Sequence, residues 1–389
     1  MWTAQTPLQD RLIATLSEGG YISDQDFSEA ELMAEGEALV TSPLFGDVVE
    51  MLFKVWQDLD DPVSVTRTIC FGLKRNQWRD ALIHAIDAIA ESGCEELGPY
   101  AKALDGRTGD DDSSLAIRIE AVAGLTRFAL RASQYGPLAI SGVMRLVDID
   151  DDWVKAKLCR IVSVLHDHLN WTHAVDSLVT LSQSLVCGVE ARQELGFVEM
   201  ANAFRSEDFA SMSACLAKSA LWFDESAKFA EEAPRARMYG TVAAALAHAL
   251  RFSEDQQAPD LTALNDAAQW VVAYNPSRAG AAWLHPPPEA ELEWVPLLST
   301  LNGTQKQDPF SFLAGAIQLF EKVRAVRVPG NESNEYRSPS GFSPAAQQGR
   351  LVGMMKTWLQ GSASSILSTQ GRSLIESRLA SLSASPGKH

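Results

Sequence analysis

Tyr135-Gly136-Pro137-Leu138 opens one helical segment, and Asp150-Asp151-Asp152-Trp153-Val154-Lys155-Ala156-Lys157-Leu158-Cys159-Arg160-Ile161-Val162 opens the next. Val154, Leu158, Ile161, Val162 and Leu165 fall on one side of a 3.6-residue period, so the second segment carries an apolar stripe. Pro137 suits the first turn of a helix, where its missing N–H would have had no intrahelical partner. The aspartates before Trp153 suit the opposite need, accepting from free N–H groups at a helix start. A stripe of this width cannot be buried within a single hairpin, so it predicts neighbouring hairpins.

Upstream the pattern recurs. Leu97-Gly98-Pro99-Tyr100 opens a short helix, an acidic turn follows, and Leu115-Ala116-Ile117-Arg118-Ile119-Glu120 begins a longer one. The two Gly-Pro pairs are 38 residues apart, and Arg118 and Lys155 are 37 apart. A weaker copy precedes them, with a helix over 46–59, the turn Asp60-Asp61-Pro62, and then Val65, Ile69 and Leu73 on one stripe. An additional helix over 77–91 separates it from the next copy. The acidic turn followed by an apolar residue, a basic residue and an apolar helix resembles the HEAT repeat, over roughly residues 43–168 and at a period slightly below the ~40–47 usual for that family. The resemblance implies an all-α fold, an irregular HEAT-like α-solenoid of stacked antiparallel helical hairpins. It implies no particular activity.

Beyond Thr172 the helical periodicity continues without a repeat, over 173–186, 207–231, 235–252, 261–273, 289–301 and 309–326. The expected organisation is therefore HEAT-like repeats over 1–171, an irregular helical region over 172–327, a flexible linker over 328–348, and a C-terminal helical segment over 349–389 with a disordered end. The linker expectation rests on Gly, Pro, Ser and Asn with few large apolar residues. Trp283-Leu284-His285 precedes three consecutive prolines, which forbid helix and suit a rigid turn or a partner-facing loop. Met355, Trp358 and Leu359 lie on one apolar face of the C-terminal segment, able to fold back on the body or to dock into another protein. Trp283, His285, Met355, Trp358 and Leu359 are the expected partner-binding residues.

Charge narrows the function classes. The 389-residue chain has a formal net charge of −17, which disfavours broad binding to nucleic acid. The balance is uneven. Arg11 and Lys54 are the only cations in the first 61 residues, whereas Lys322, Arg324, Arg327, Arg337, Arg350, Lys356, Arg372, Arg378 and Lys388 outnumber the acids from Glu321 onward. Solvated helix surface is the ordinary reading of both ends, and steering of an oppositely charged partner the sharper one. Cys70, Cys94, Cys159, Cys187 and Cys215 are odd in number and widely spaced, which reads as buried thiols in a reducing compartment. With no secretory pattern and no apolar run long enough to span a bilayer, the expected location is cytoplasmic, with no membrane partner.

No local motif specifies a reaction. His166-Asp167-His168 with His173 is the densest group of metal-ligand types and is similar to the dyad of HD-type phosphohydrolases, but two residues apart on a helix point to nearly opposite faces. Asp148, Asp150 and Asp152 begin like an EF-hand loop, yet Trp153 stands where the turn needs glycine. HEAT-like DNA glycosylases combine Trp and Asp with a basic surface, and the acidic balance here argues against that kinship. The resulting expectation is a non-enzymatic protein–protein interaction scaffold or adaptor subunit, with no catalytic residue, metal or cofactor assigned. Two alternatives remain: a helical metal-dependent hydrolase near His166–His173, and a nucleic-acid-binding accessory protein using the basic C-terminal segment.

Overall fold

In the computed structural model the described residues are 97–111, 115–184, 187–229, 234–250, 291–300, 309–327, 336–337, 339, 344–360 and 369–383, with isolated positions at 7, 10, 11, 14 and 90. They are predominantly helical. In chain order the helices are α1 (Gly98–Thr108), α2 (Leu115–Arg131), α3 (Gly136–Leu146), α4 (Asp152–Leu169), α5 (Ala174–Leu181), α6 (Gly188–Arg205), α7 (Phe209–Phe229), α8 (Pro234–Ala249), α9 (Trp294–Ser299), α10 (Pro309–Arg324), α11 (Pro344–Gln360) and α12 (Thr369–Ser383). The one extended pairing among the described residues joins Val326–Arg327 to Tyr336–Arg337. No helix among them is long and apolar enough to cross a membrane. The stretches 46–59, 65–73 and 261–273, nearly all of 77–91, and the residues Trp283 and His285 lie outside the described residues.

The chain divides into two units, one of residues 1–158 with 279–281 and 327–335, the other of 159–278, 282–326 and 336–389. In the first unit, Pro99 and Pro137 stand in the opening turns of α1 and α3. The Asp151 carboxylate accepts from the Val154 N–H at 2.9 Å, so it caps α4. Arg118 and Lys155 both reach back to the acidic turn before their own helix, Arg118 to Asp111 at 3.1 Å and Lys155 to Asp150 at 2.7 Å. Arg118 also donates to the Thr108 carbonyl, satisfying an acceptor at the end of α1.

Helix α2 is buried continuously from Ile117 to Leu130, as expected of a helix enclosed by others. Its approach to α3 is close: a Cβ on Gly142 would sit 2.9 Å from Val122 Cγ2. At the far end of α3, the Arg145 guanidinium donates to the carbonyl and carboxylate of Asp105 and to the Thr108 hydroxyl. The C-terminal ends of α1 and α3 are therefore neighbours, and the two helices run in the same direction with α2 returning between them. One helix further on, Lys157 of α4 pairs with Glu120 of α2 across 37 residues of sequence.

In the second unit α7 buries Phe209, Met212, Leu216, Ser219, Phe223 and Ser226, spaced alternately three and four apart. Its antiparallel pairing with α6 is fixed by two hydroxyls. Ser219 donates to the Gly196 carbonyl and Ser226 to that of Val189, so advancing along α7 means retreating along α6. Gly196 permits this approach, since a Cβ there would lie 2.7 Å from the Phe223 ring. Helix α6 was absent from the segments singled out by periodicity. The charged stretch Glu190 to Glu194 in its first half masks an almost fully buried second half.

The C-terminal segment folds back within this unit. Leu351, Met354 and Met355 are buried, and burial of side chains this size contributes ~1.5–3 kcal/mol each. The Trp358 ring lies 4.7 Å from that of Phe209. Arg350 donates to the carbonyls of Phe204, Arg205 and Ser206, serving the acceptors left free where α6 ends. Helix α11 begins at Pro344, inside the stretch expected to be linker, and Pro339 is buried with its carbonyl accepting from Arg205 at 3.1 Å.

Candidate functional site

Arg160, Ser163 and Asp167 recur at three- and four-residue steps on α4, a polar stripe beside the apolar one formed by Val154, Leu158, Ile161 and Leu165. Helix α10 brings the opposite charge. Leu313, Ile317, Phe320 and Arg324 occupy one stripe of that helix and are all buried, so the arginine continues an apolar face into the interior. Its Nη2 donates to Asp167 Oδ2 at 3.1 Å, to Glu194 Oε2 of α6 at 3.0 Å, and to the Ser163 hydroxyl. The guanidinium carbon stands 4.5 Å from the centre of the Phe197 ring, against which Nε and Nη1 have no hydrogen-bond partner among the described residues. Arginine is suited to this position because it stays ionised and stacks on aromatic faces.

The network extends along α6 and α8. Arg160 lies 3.7 Å from Glu194, and Arg235 is 5.0 Å from the Phe197 ring centre while donating to Glu291 at 2.9 Å. The same carboxylate oxygen accepts from the Tyr239 hydroxyl at 2.9 Å. Three guanidinium groups thus face three carboxylates, and two of them, Arg235 and Arg324, lie over one phenyl ring. His166 Nδ1 lies 3.0 Å from Asp167 Oδ1, leaving that carboxylate engaged on both oxygens.

Burial and pairing act in opposite directions on these groups. Desolvation would raise the Asp167 and Glu194 carboxyls, yet Arg324 overrides it for both, aided by His166 at Asp167 and by Arg160 and Arg235 at Glu194. Both are held below the usual carboxylate range. Burial, with the adjacent positive charge of Arg324, lowers Arg160 to about 10, so it remains a cation at neutral pH. Burial and the Glu291 charge push the Tyr239 phenol well above its ordinary value. Asp167 and Glu194 are therefore ionised beside guanidinium groups that stay cationic, and the carboxylates accept from arginine, hydroxyl and imidazole neighbours within the cluster. Chemically it holds α4, α6, α8, α10 and the segment at Glu291 together, at a desolvation cost that pairing offsets.

The residues singled out from sequence fare differently. His166 and Asp167 enter the network, whereas His173 is exposed and faces Asp176 at 3.6 Å. No group of three metal-ligand side chains occurs among the described residues. Met355 is fully buried, and Trp358 and Leu359 are half-buried against the core of the second unit. Trp153 is 42% exposed, with Lys157 Nζ 5.5 Å from its ring centre. Sequence reading missed Arg324, Glu194 and Arg235. For Arg324 a usable signal existed, its place at the end of an apolar stripe. No protein-family model, curated protein or solved structure matches the chain.

Proposed function

We propose that the chain is a non-enzymatic scaffold or adaptor subunit that binds other proteins, built on an irregular HEAT-like array of antiparallel helix pairs and working in the cytoplasm. One observation carries the reading: residues one period apart touch, Arg145 with Thr108 and Lys157 with Glu120, each pair 37 apart. Contact between equivalent positions is what side-by-side stacking of successive hairpins requires, and such stacking is the architecture of extended binding surfaces. Met144 and Trp153 supply exposed apolar area on the same hairpin, at 54% and 42% exposure, of the kind that anchors a partner.

The test uses the full-length tagged chain, cross-linked in native extract, sized and identified by mass spectrometry. The expected result is a discrete complex containing one partner at fixed stoichiometry, captured reciprocally from the partner's side. Met144→Glu combined with Trp153→Ala should weaken that capture, since both side chains are exposed. Recovery at 42.3 kDa with nothing retained would overturn the proposal.

A further inference from the structure

We infer that the exposed apolar side chains of Met144 and Trp153 receive a basic segment of another protein, an amphipathic helix whose arginines meet Asp148 and Asp152 while its apolar side chains cover the thioether and the indole. This partner chemistry rests on the scaffold reading and adds to it the charge of what is bound.

The surface is built by one helix connection of the first unit. Helix α3 buries Gly142, Val143 and Leu146, which turns Met144 and, one helical turn later, Asp148 outward. The Leu146 carbonyl accepts from the Ile149 N–H at 3.1 Å and the Asp151 carbonyl from the Lys155 N–H at 3.0 Å, so the connection is confined to 147–151. Helix α4 then opens with exposed Asp152 and Trp153. The last turn of α3 and the first turn of α4 thus each present a large apolar side chain, 54% and 42% exposed, accompanied by a carboxylate.

Charge decides what can cover that surface. The nearby cations are already engaged: Arg145 pairs with Asp105 at 2.7 Å, Arg118 with Asp111 at 3.1 Å, Lys155 with Asp150 at 2.7 Å, and Lys157 with Glu120. Asp148 and Asp152 have no hydrogen bond or ion pair with the described residues. An acidic partner would be repelled by both, whereas guanidinium groups can pair with them and leave every internal pair intact. The indole favours arginine in particular. Lys157 Nζ lies 5.5 Å from its ring centre, and the exposed remainder of the ring offers area on which a planar guanidinium stacks. The net charge of −17 draws a basic partner in from a distance, and the two unpaired aspartates select where it lands.

The experiment uses the full-length chain and three fluorescein-labelled helical peptides. They share leucines at three- and four-residue spacing and carry arginine, glutamine or glutamate at the other positions. The arginine peptide should bind most tightly by anisotropy, weaken as salt rises, and slow hydrogen exchange over 144–157. Asp148→Asn combined with Asp152→Asn should weaken it about three- to tenfold. Asp176→Asn combined with Asp224→Asn, which removes the same charge from exposed positions of the second unit, should change it little. Met144→Ala combined with Trp153→Ala should weaken it as well. Equal weakening by the two asparagine pairs would overturn the inference, since attraction would then be diffuse. Equal binding of the glutamine peptide would also overturn it, making a neutral surface or a second copy of this chain a sufficient occupant, as would tighter binding of the glutamate peptide. Any of these results beside a discrete complex recovered from extract would leave the scaffold reading standing and remove only the basic partner.

Discussion

The first unit is held by neighbours in sequence and the second by strangers. Among the hydrogen bonds that define the hairpins of the first, partners such as Arg118 with Thr108 and Arg145 with Asp105 lie 10 to 40 residues apart. Around Arg324 the partners lie 130 to 161 residues away. Contacts of short span can form as each hairpin forms, whereas the Arg324 network must wait for loop closures that cost chain entropy before any contact compensates. The difference also concerns what is buried: among the described residues one ion pair, Lys157 with Glu120, in the first unit, and a group of three arginines and three carboxylates in the second.

The largest expected effect comes from removing the cation on which two carboxylates depend. Arg324→Ala leaves Asp167 and Glu194 buried without their main partner and should destabilise the second unit by about 4–5 kcal/mol, measured by urea unfolding. Hydrogen exchange should rise in α6, α10 and the later turns of α4, leaving α1 to α3 protected. Loss of protection spread equally over both units would break the contrast drawn above. The same carboxylates set an acid response. Their folded pKa values lie below the ordinary range, so the stability they contribute is present above about pH 4, the unfolded value, and is lost as pH falls through the folded values. The unfolding midpoint of the native chain should drop on acidification from pH 5 to pH 3, and the curve for Arg324→Ala should be flatter.

A smaller effect is expected in the first unit. Lys157→Met removes the partner of Glu120, which is only 2% exposed, and should cost about 3 kcal/mol, with faster exchange confined to α2 and the start of α4. Equal cost at both places would mean that buried ion pairs matter here individually, and that their grouping in the second unit adds nothing. Smaller again is Gly196→Ala. Its new methyl group meets the Phe223 ring at 2.7 Å and should cost about 1–3 kcal/mol by overpacking the α6–α7 contact. A neutral result would show that the Phe223 ring can retreat and that this crossing is loosely packed.

Legibility follows the same division. The helical class, the Pro99 and Pro137 helix starts and the Asp151 cap are encoded within a few residues, and sequence reading reached them; the return of Arg118 and Lys155 to acidic turns is as local, yet the sequence reading took them only as repeat-equivalent positions. Asn170 is a similar case. It stands at φ 56° directly after α4, in the left-handed region that closes helices and that asparagine tolerates. Arg324 was not reached, because Lys322, Arg324 and Arg327 read as one basic surface until the partners of the middle residue are known. Lys322 does behave as surface, pairing with exposed Glu293. Helix α6 was missed because charges in its first half hide the period of its second. The short turns and caps are local chemistry, and the network is a property of tertiary assembly.

The Arg350 cap bears on biosynthesis. Helix α6 is complete once Arg205 has been added, yet the guanidinium that donates to its last carbonyls is translated 145 residues later than Arg205. On the ribosome that helix end must rely on water or on a holdase until α11 has left the exit tunnel. Premature termination anywhere between the two would release a chain with every residue of α6 present and its terminus frayed, a feature by which quality-control proteases could distinguish unfinished copies from finished ones.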